Sequence, residues 1–362
     1  MAASSSYALP RISQEATWLR SPGWDLTFVS LSAVLVPLPY LVYQLLLALG
    51  AAAGSSASIV DLVVTLFIGG PHMYATFTRT IADPAFRVHH RRFIASSIVI
   101  PIGVIVLGYY AFTILLTLFF FWASLHVLHQ ITYLVECYNR RGARPLSLVD
   151  RLIEYAVVLA SPYPLAVYRL VNGTFEISGV TIRLPEQLAR PELVYLVFAG
   201  FGVAVALFVA KTVRELARGQ VHGPKLLLIT LTVLASFFLP ALDRLDAAFQ
   251  GFNAWHSFQY LGLTWYANRL AAERFEATSG LRRAISGPND GWRFYGLLVL
   301  CTVAAGAVIG LLMLLREPLG LSPEQPYYIT ILSFLLVHYY HDHLLFTRPE
   351  AIVAGEPAPA PA

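Results

Sequence analysis

The stretch from Arg293 to Leu315, RFYGLLVLCTVAAGAVIGLLMLL, decides the fold class, because nothing after its first residue is charged. At 1.5 Å per residue, a helix of about 20 such residues crosses a hydrocarbon core of about 30 Å. Runs near 26–50, 59–78, 192–213, 224–242 and 327–347 meet the same criterion. The run from Phe93 to Cys137 is too long for one crossing and is expected to form two helices that turn near Gly108, Tyr109 and Tyr110. Residues 151–171 add a span kinked by Pro162 and Pro164, and the aromatic, polar-flecked stretch 247–267 adds another. The expected fold is all-α, a polytopic transmembrane bundle of about ten spans. It forms a single domain over residues 26–348, between a polar segment 1–25 and a disordered, Pro- and Ala-rich tail 349–362.

Composition agrees. Hydrophobic residues make up 57% of the chain and charged residues 13%, against about 25% charged in a soluble protein. The net charge of +4 falls in short clusters between apolar runs, which is a topogenic pattern and not a nucleic-acid surface. The clusters are Arg79, Arg87, Arg91 and Arg92; Arg140, Arg141 and Arg144; Lys211, Arg214, Arg218 and Lys225; Arg269, Arg274, Arg282 and Arg283; and Arg348. Placing them all in the cytoplasm puts every even-numbered helix end and both termini there, and it requires 247–267 to cross. The expected location is a bacterial inner or plasma membrane. The first 24 residues lack the apolar core of a secretory signal. The outside loop 172–191 contains TFEISGVTIRL, expected to be a small hairpin lid turning at Ser178 and Gly179; the sequon at Asn172 reads as chance. Cys137 and Cys301 exclude a disulfide framework or a cysteine zinc site. No repeat, dinucleotide or phosphate-loop motif is present.

The chain has ten histidines, and the topology orders them. The second helix, GGPHMYATFTR, places His72, Thr76 and Arg79 on one face. The fourth, HVLHQITYLVE, aligns His126, His129, Gln130, Tyr133 and Glu136. The eighth, NAWHSFQY, gathers Asn253, His256, Gln259 and Tyr260, and the tenth, HYYHDHLLF, offers His338, His341 and Asp342 with His343 turned away. All four helices run toward the cytoplasm, and each reaches a basic marker 7 to 14 residues after its first histidine. Their imidazoles therefore share one layer of the membrane. Ionisable groups at that depth need partners, and a shared metal satisfies several at once. The expected metal ligands are His72, His126, His129, His256, His338 and His341. Gln130, Gln259 and Asn253 are expected to orient them, and Asp342, Glu136 and Tyr133 to take part in the chemistry, the two carboxylates also as oxygen ligands. One such histidine alone has about even odds of being a helix-to-helix hydrogen bond; six on four co-directional helices point to a site. His89 and His90 read as a basic interfacial loop, His222 as structural, Asp61 as a capping or interfacial group, and Arg79 as a headgroup contact or a snorkelling side chain.

HVLHQ and HYYHDH resemble the histidine boxes of the membrane non-haem iron enzymes of the fatty-acid desaturase and hydroxylase group. The likeness covers four short segments; His126 and His129 are one residue closer than HxxxH, and HxxHH does not occur. A second, looser resemblance is to the Brp/Blh carotenoid-cleaving membrane proteins. The resemblance implies iron, one or two non-haem ions, with dioxygen and a lipid-like substrate. The function expected is oxidation of a lipophilic substrate by desaturation, hydroxylation or oxidative cleavage, with a redox partner and an aromatic lining from Tyr109, Tyr110, Phe119, Phe120, Phe121, Trp255, Trp265, Tyr339 and Tyr340. Two alternatives stand beside it: a haem clamped between His126 and His338 for electron transfer or gas reduction, and a transporter whose polar path passes the GGP break before His72.

Overall fold

The computed structural model describes residues 17–142, 145–177, 180–182, 184–274, 280–287 and 289–347, together with 349 and 352. Arg144, the turn at Ser178 and Gly179, the side chains of Arg274 and Arg282, Arg348 and the expected tail from 353 lie outside them.

Helices account for nearly all of the described chain. Seven are long and apolar enough to cross a membrane: α1 (Pro22–Ala48), α2 (Ala53–Arg79), α3 (Arg91–Tyr110), α4 (Phe112–Arg141), and, further on, Pro191–Ala217, Gly223–Ala241 and Gly291–Leu314. Between them, α5 (Leu148–Ala160) and α6 (Tyr163–Val171) form one path broken at Ser161 and Pro162. The strands β1 (Glu176–Ile177) and β2 (Val180–Thr181) pair antiparallel, Ile177 opposite Val180, as the alternating stretch predicts. The three remaining apolar spans are α7 (Pro191–Ala217), α8 (Gly223–Ala241) and α10 (Gly291–Leu314). The polar-flecked stretch folds as one 30-residue helix, α9 (Leu245–Arg274), and the last helix is α11 (Gln325–Leu345). Neither of these two is among the seven; both carry polar side chains, such as His256, Gln259, His338 and Asp342, and these are turned inward.

Burial is inverted relative to a water-soluble protein. The most apolar spans are the least buried: 6% of the apolar window of α7 and 17% of that of α10 lie inside the fold. Leu196, Tyr195 and Leu314 are exposed, while His338, His341, Asp342, Gln130 and Gln259 are wholly buried. An outer surface this apolar needs lipid around it. The chain is a multi-pass membrane protein.

Close approach at two glycines sets the interior. A Cβ added at Gly251 of α9 would run into the Val36 carbonyl oxygen, and one added at Gly70 of α2 would run into the Thr302 side chain of α10. Glycine at 251 lets the backbones of α9 and α1 pack, and glycine at 70 makes room for Thr302, so that α2 reaches the centre between α9, α10 and α11. At the basic end, Glu154 of α5 forms ion pairs with Lys211 at 2.9 Å and Lys225 at 2.5 Å, and Lys225 also donates to Asn139 at 2.8 Å. This buried set of opposite charges ties α4, α5, α7 and α8 together. Nearby, Asp25 accepts from the Leu19 and Arg20 amides and from the Tyr138 hydroxyl at 2.7 Å, which anchors the start of α1.

Candidate metal centre

Four of the six expected ligands meet. The ring centroids of His72 and His256 lie 5.2 Å apart, His72 and His338 4.8 Å, His126 and His256 5.0 Å, and His126 and His338 4.9 Å. These rings come from α2, α4, α9 and α11, one from each, and every one is at most 4% exposed. His72, His256 and His338 present nitrogens within 4.8 Å of one another, and so do His126 and His338 with an Asp342 oxygen.

The nitrogens are free to bind. His72 Nδ1 donates to the Gly69 carbonyl, where a π-helical turn over Thr65–Gly69 widens the backbone just before the imidazole. That bond fixes the tautomer and leaves Nε2 with a lone pair. Nε2 of His72, His126, His256 and His338 are all buried without a hydrogen-bond partner. Such orphans are costly in an apolar interior, and four in one place are accounted for by a cation. With metal–nitrogen bonds of about 2 Å, ring centroids stand about 3 Å from the ion, and separations of about 5 Å correspond to ligands about 100–110° apart. His72, His256 and His338 thus offer three nitrogens to one ion, and His126 adjoins them in a second group that shares His338 and includes Asp342.

The supporting layer is in place. Thr76 Oγ1 donates to Asp342 Oδ1 at 2.8 Å and therefore accepts the Nδ1 proton of His338 at 2.5 Å. Tyr260 donates to the same Asp342 oxygen at 2.6 Å. Asp342 Oδ2 lies 3.8 Å from His126 Nε2 and is itself without a hydrogen-bond partner. Thr76, one turn after His72, and Tyr260, one turn after His256, sit where helical spacing puts them, but nothing in the sequence marked them as the link between His338 and Asp342.

Other expected members are elsewhere. His129 stands beside His343 and Phe346, not with the four. His341 turns to Thr80, 3.1 Å away, and to Phe93. Glu136 faces Arg151 at 2.8 Å and accepts from Tyr155 at 2.7 Å, and Tyr133 packs on Phe346; neither joins the cluster. Gln130 donates to the His256 backbone carbonyl at 3.2 Å and to Gln259 at 3.1 Å, and Gln259 donates to the Val29 carbonyl, so both hold helices and not imidazole rings. Asn253 accepts from Ser257 and donates to Gln250, one turn above His256.

A cavity of about 210 Å³ extends from the hairpin to the cluster, reaching His72, His256 and Tyr339. It exceeds the apolar cavity of about 150 Å³ known to hold benzene. Of the expected aromatic lining, Phe119, Phe120, Phe121 and Tyr339 face it. Tyr109 and Tyr110 are exposed, Trp255 is in the core, Trp265 lies under Arg20 and Arg269, and Tyr340 stacks on Phe93. Phe175, Ile177 and Ile182, on and beside the hairpin, close the far end. Set against models of known families, curated proteins and solved structures, the chain matches none.

Proposed function

We propose that the chain is a membrane metalloenzyme in which His72, His126, His256 and His338 hold one non-haem iron ion that oxidises a lipophilic substrate lying in the aromatic cavity. The observation that carries this reading is the clustering of four buried imidazoles with unpartnered Nε2 atoms, two of which, His72 and His256, line that cavity. A bound iron would supply redox chemistry with dioxygen. The protein's own part is to orient His338 through Thr76 and Asp342, to keep Asp342 beside the ligands, and to exclude water. Desaturation or hydroxylation draws further electrons from a redox partner; oxidative cleavage by dioxygen does not. The resemblance to the histidine-box enzymes supports iron, with ligand spacing proper to this chain. A porphyrin between His126 and His338 is disfavoured, since trans imidazoles on one iron stand with centroids about 6 Å apart and these are at 4.9 Å. The reading includes ten spans with both termini cytoplasmic, in a bacterial inner or plasma membrane.

Elemental analysis of the purified protein, before and after loading with ferrous iron, tests it. The expected result is one iron per chain, no Soret band, and loss of the metal in the double variant His126→Ala, His338→Ala. No stoichiometric transition metal after loading would overturn the proposal.

A further inference from the structure

The cavity has two unlike walls. One is aromatic and aliphatic, built from Phe119 and Phe120 of α4 and Leu332 and Leu335 of α11. The other is a polar ladder. Along α9 the cavity is lined by Asp246, Gln250, Asn253 and His256, at successive turns of one helix face. Along α2 it is lined by Asp61, Thr65 and His72. Ten to eleven helical residues separate each aspartate from its histidine, a length of about 15 Å.

The two carboxylates differ. Asp246 is neutralised by Arg244 at 2.8 Å. Asp61 is hydrogen-bonded by Gln250 and feels Asp246 as a like charge, and among the described residues no cation acts on it. It lies well inside α2, not at its cap, which is Ala52. A half-buried carboxylate in a membrane span without a cation is expensive unless something supplies a donor. At the other end of the same cavity, Nε2 of His72 and both ring nitrogens of His256 are buried without hydrogen-bond partners. Both ends of the cavity thus carry groups with unmet demands, and the wall that faces the ladder between them is apolar.

We infer that the cavity binds an amphiphile whose apolar chain lies between a hydrogen-bond-donating head group, hydroxyl or amine, at Asp61 and a reacting position beside His72 and His256, and that it rejects carboxylate heads. This rests on the proposed function for the identity of the reacting end, but not for head-group selection. Asp61 and Gln250 accept and donate to an alcohol, Asp61 pairs with an ammonium, and an anionic head meets uncompensated negative charge.

The test is binding of dodecylamine, dodecan-1-ol and dodecanoate at pH 7.5 to the protein in phosphatidylcholine nanodiscs, with apparent Kd values from native mass spectrometry. The amine and the alcohol are expected to bind at least about tenfold more tightly than the carboxylate. In the isosteric variant D61N the amine should weaken by about tenfold, the alcohol should change little, and the gap to the carboxylate should close. D61N does not alter partition into the bilayer, so a change there belongs to the site. Tight amine binding with D61N unchanged would assign the contact to the membrane and overturn the inference, as would dodecanoate binding equal to the amine. Iron content of the same preparations separates the two claims: head-group selection without iron leaves this inference standing and removes the metalloenzyme reading, and iron without selection does the reverse.

Discussion

His338 is held as a donor at Nδ1 because Thr76 gives its own proton to Asp342 and has only a lone pair left to offer. The same arrangement presents Nε2 of His338, unprotonated, to the cluster. Thr76→Val keeps the shape and removes both bonds. It is expected to weaken metal affinity by about 10–100-fold, the usual cost of losing an orienting partner, while leaving the protein folded. Competition against a chelator of known affinity measures this; unchanged affinity would mean that Thr76 plays no part in orienting the ligand. A second residue acts outside the membrane. His222 caps α8, its Nδ1 accepting from the Lys225 amide at 3.3 Å. Burial, followed by the Lys225 charge, lowers its pKa from 6.5 to about 4. Because the folded state binds the proton less readily than the unfolded chain, stability contributed by neutral His222 is complete above pH 6.5 and is lost as pH falls toward 4. His222→Asn retains a cap acceptor without titrating. The drop in Tm between pH 7.5 and pH 5 is expected to be smaller in H222N than in the unchanged chain; identical drops would show that the group does not titrate differently on folding.

At the scale of elements, α9 is the piece that must be placed well, since it carries His256, Tyr260 and the polar ladder. Its position depends on Gly251, where an added methyl would meet the Val36 carbonyl. Gly251→Ala is expected to destabilise the protein by about 1–3 kcal/mol, the range for overpacking, and to lower iron occupancy by shifting His256. Thermal unfolding and metal content together check this, and a fully stable, fully loaded variant would contradict it. The elements themselves were legible in the sequence. Apolar runs, the break at Pro162 and the tight turn after Tyr110 are local matters of length and backbone chemistry, and they fall where expected. Of the six histidines expected to act together, the fold gathers four and sets two apart. His126 and His129, or His338 and His341, sit one turn apart, and which of each pair faces the centre depends on how far the helix is rotated. Neighbours fix that rotation: Tyr339 stacks on His126 at 3.9 Å, and Phe346 packs against His129. Glu136 was drawn away by Arg151, a residue of a different helix. Such pairings are set by three-dimensional packing, and spacing along one helix carries no record of them.

The whole molecule is defined by which way its helices cross. Three paths lie outside the seven apolar spans, and two of them precede the last loop: α5 with α6, broken at Pro162, and α9. Length favours a crossing for α9, since 30 residues reach about 45 Å. Charge favours it as well, since Arg269 and the basic residues before α10 must share a side with Arg140 and Arg218. The structure adds a reason that composition lacks. The polar groups of α9 are turned to α2, α4 and α11, so its low hydropathy costs nothing toward lipid. If both paths cross, Ala52, Arg190 and Ser322 lie on one side of the membrane and Arg218 on the other. Single cysteines at these exposed positions, in a chain with Cys137 and Cys301 replaced by serine, report this directly with an impermeant thiol reagent on intact cells. Ala52→Cys, Arg190→Cys and Ser322→Cys are expected to react from outside, and Arg218→Cys only after permeabilisation. Loss of outside labelling at Ser322 alone would mean that α9 does not cross. In that case α2 and α9 would no longer run in the same direction relative to the bilayer, and the four imidazoles would lose the common depth on which the metal centre depends.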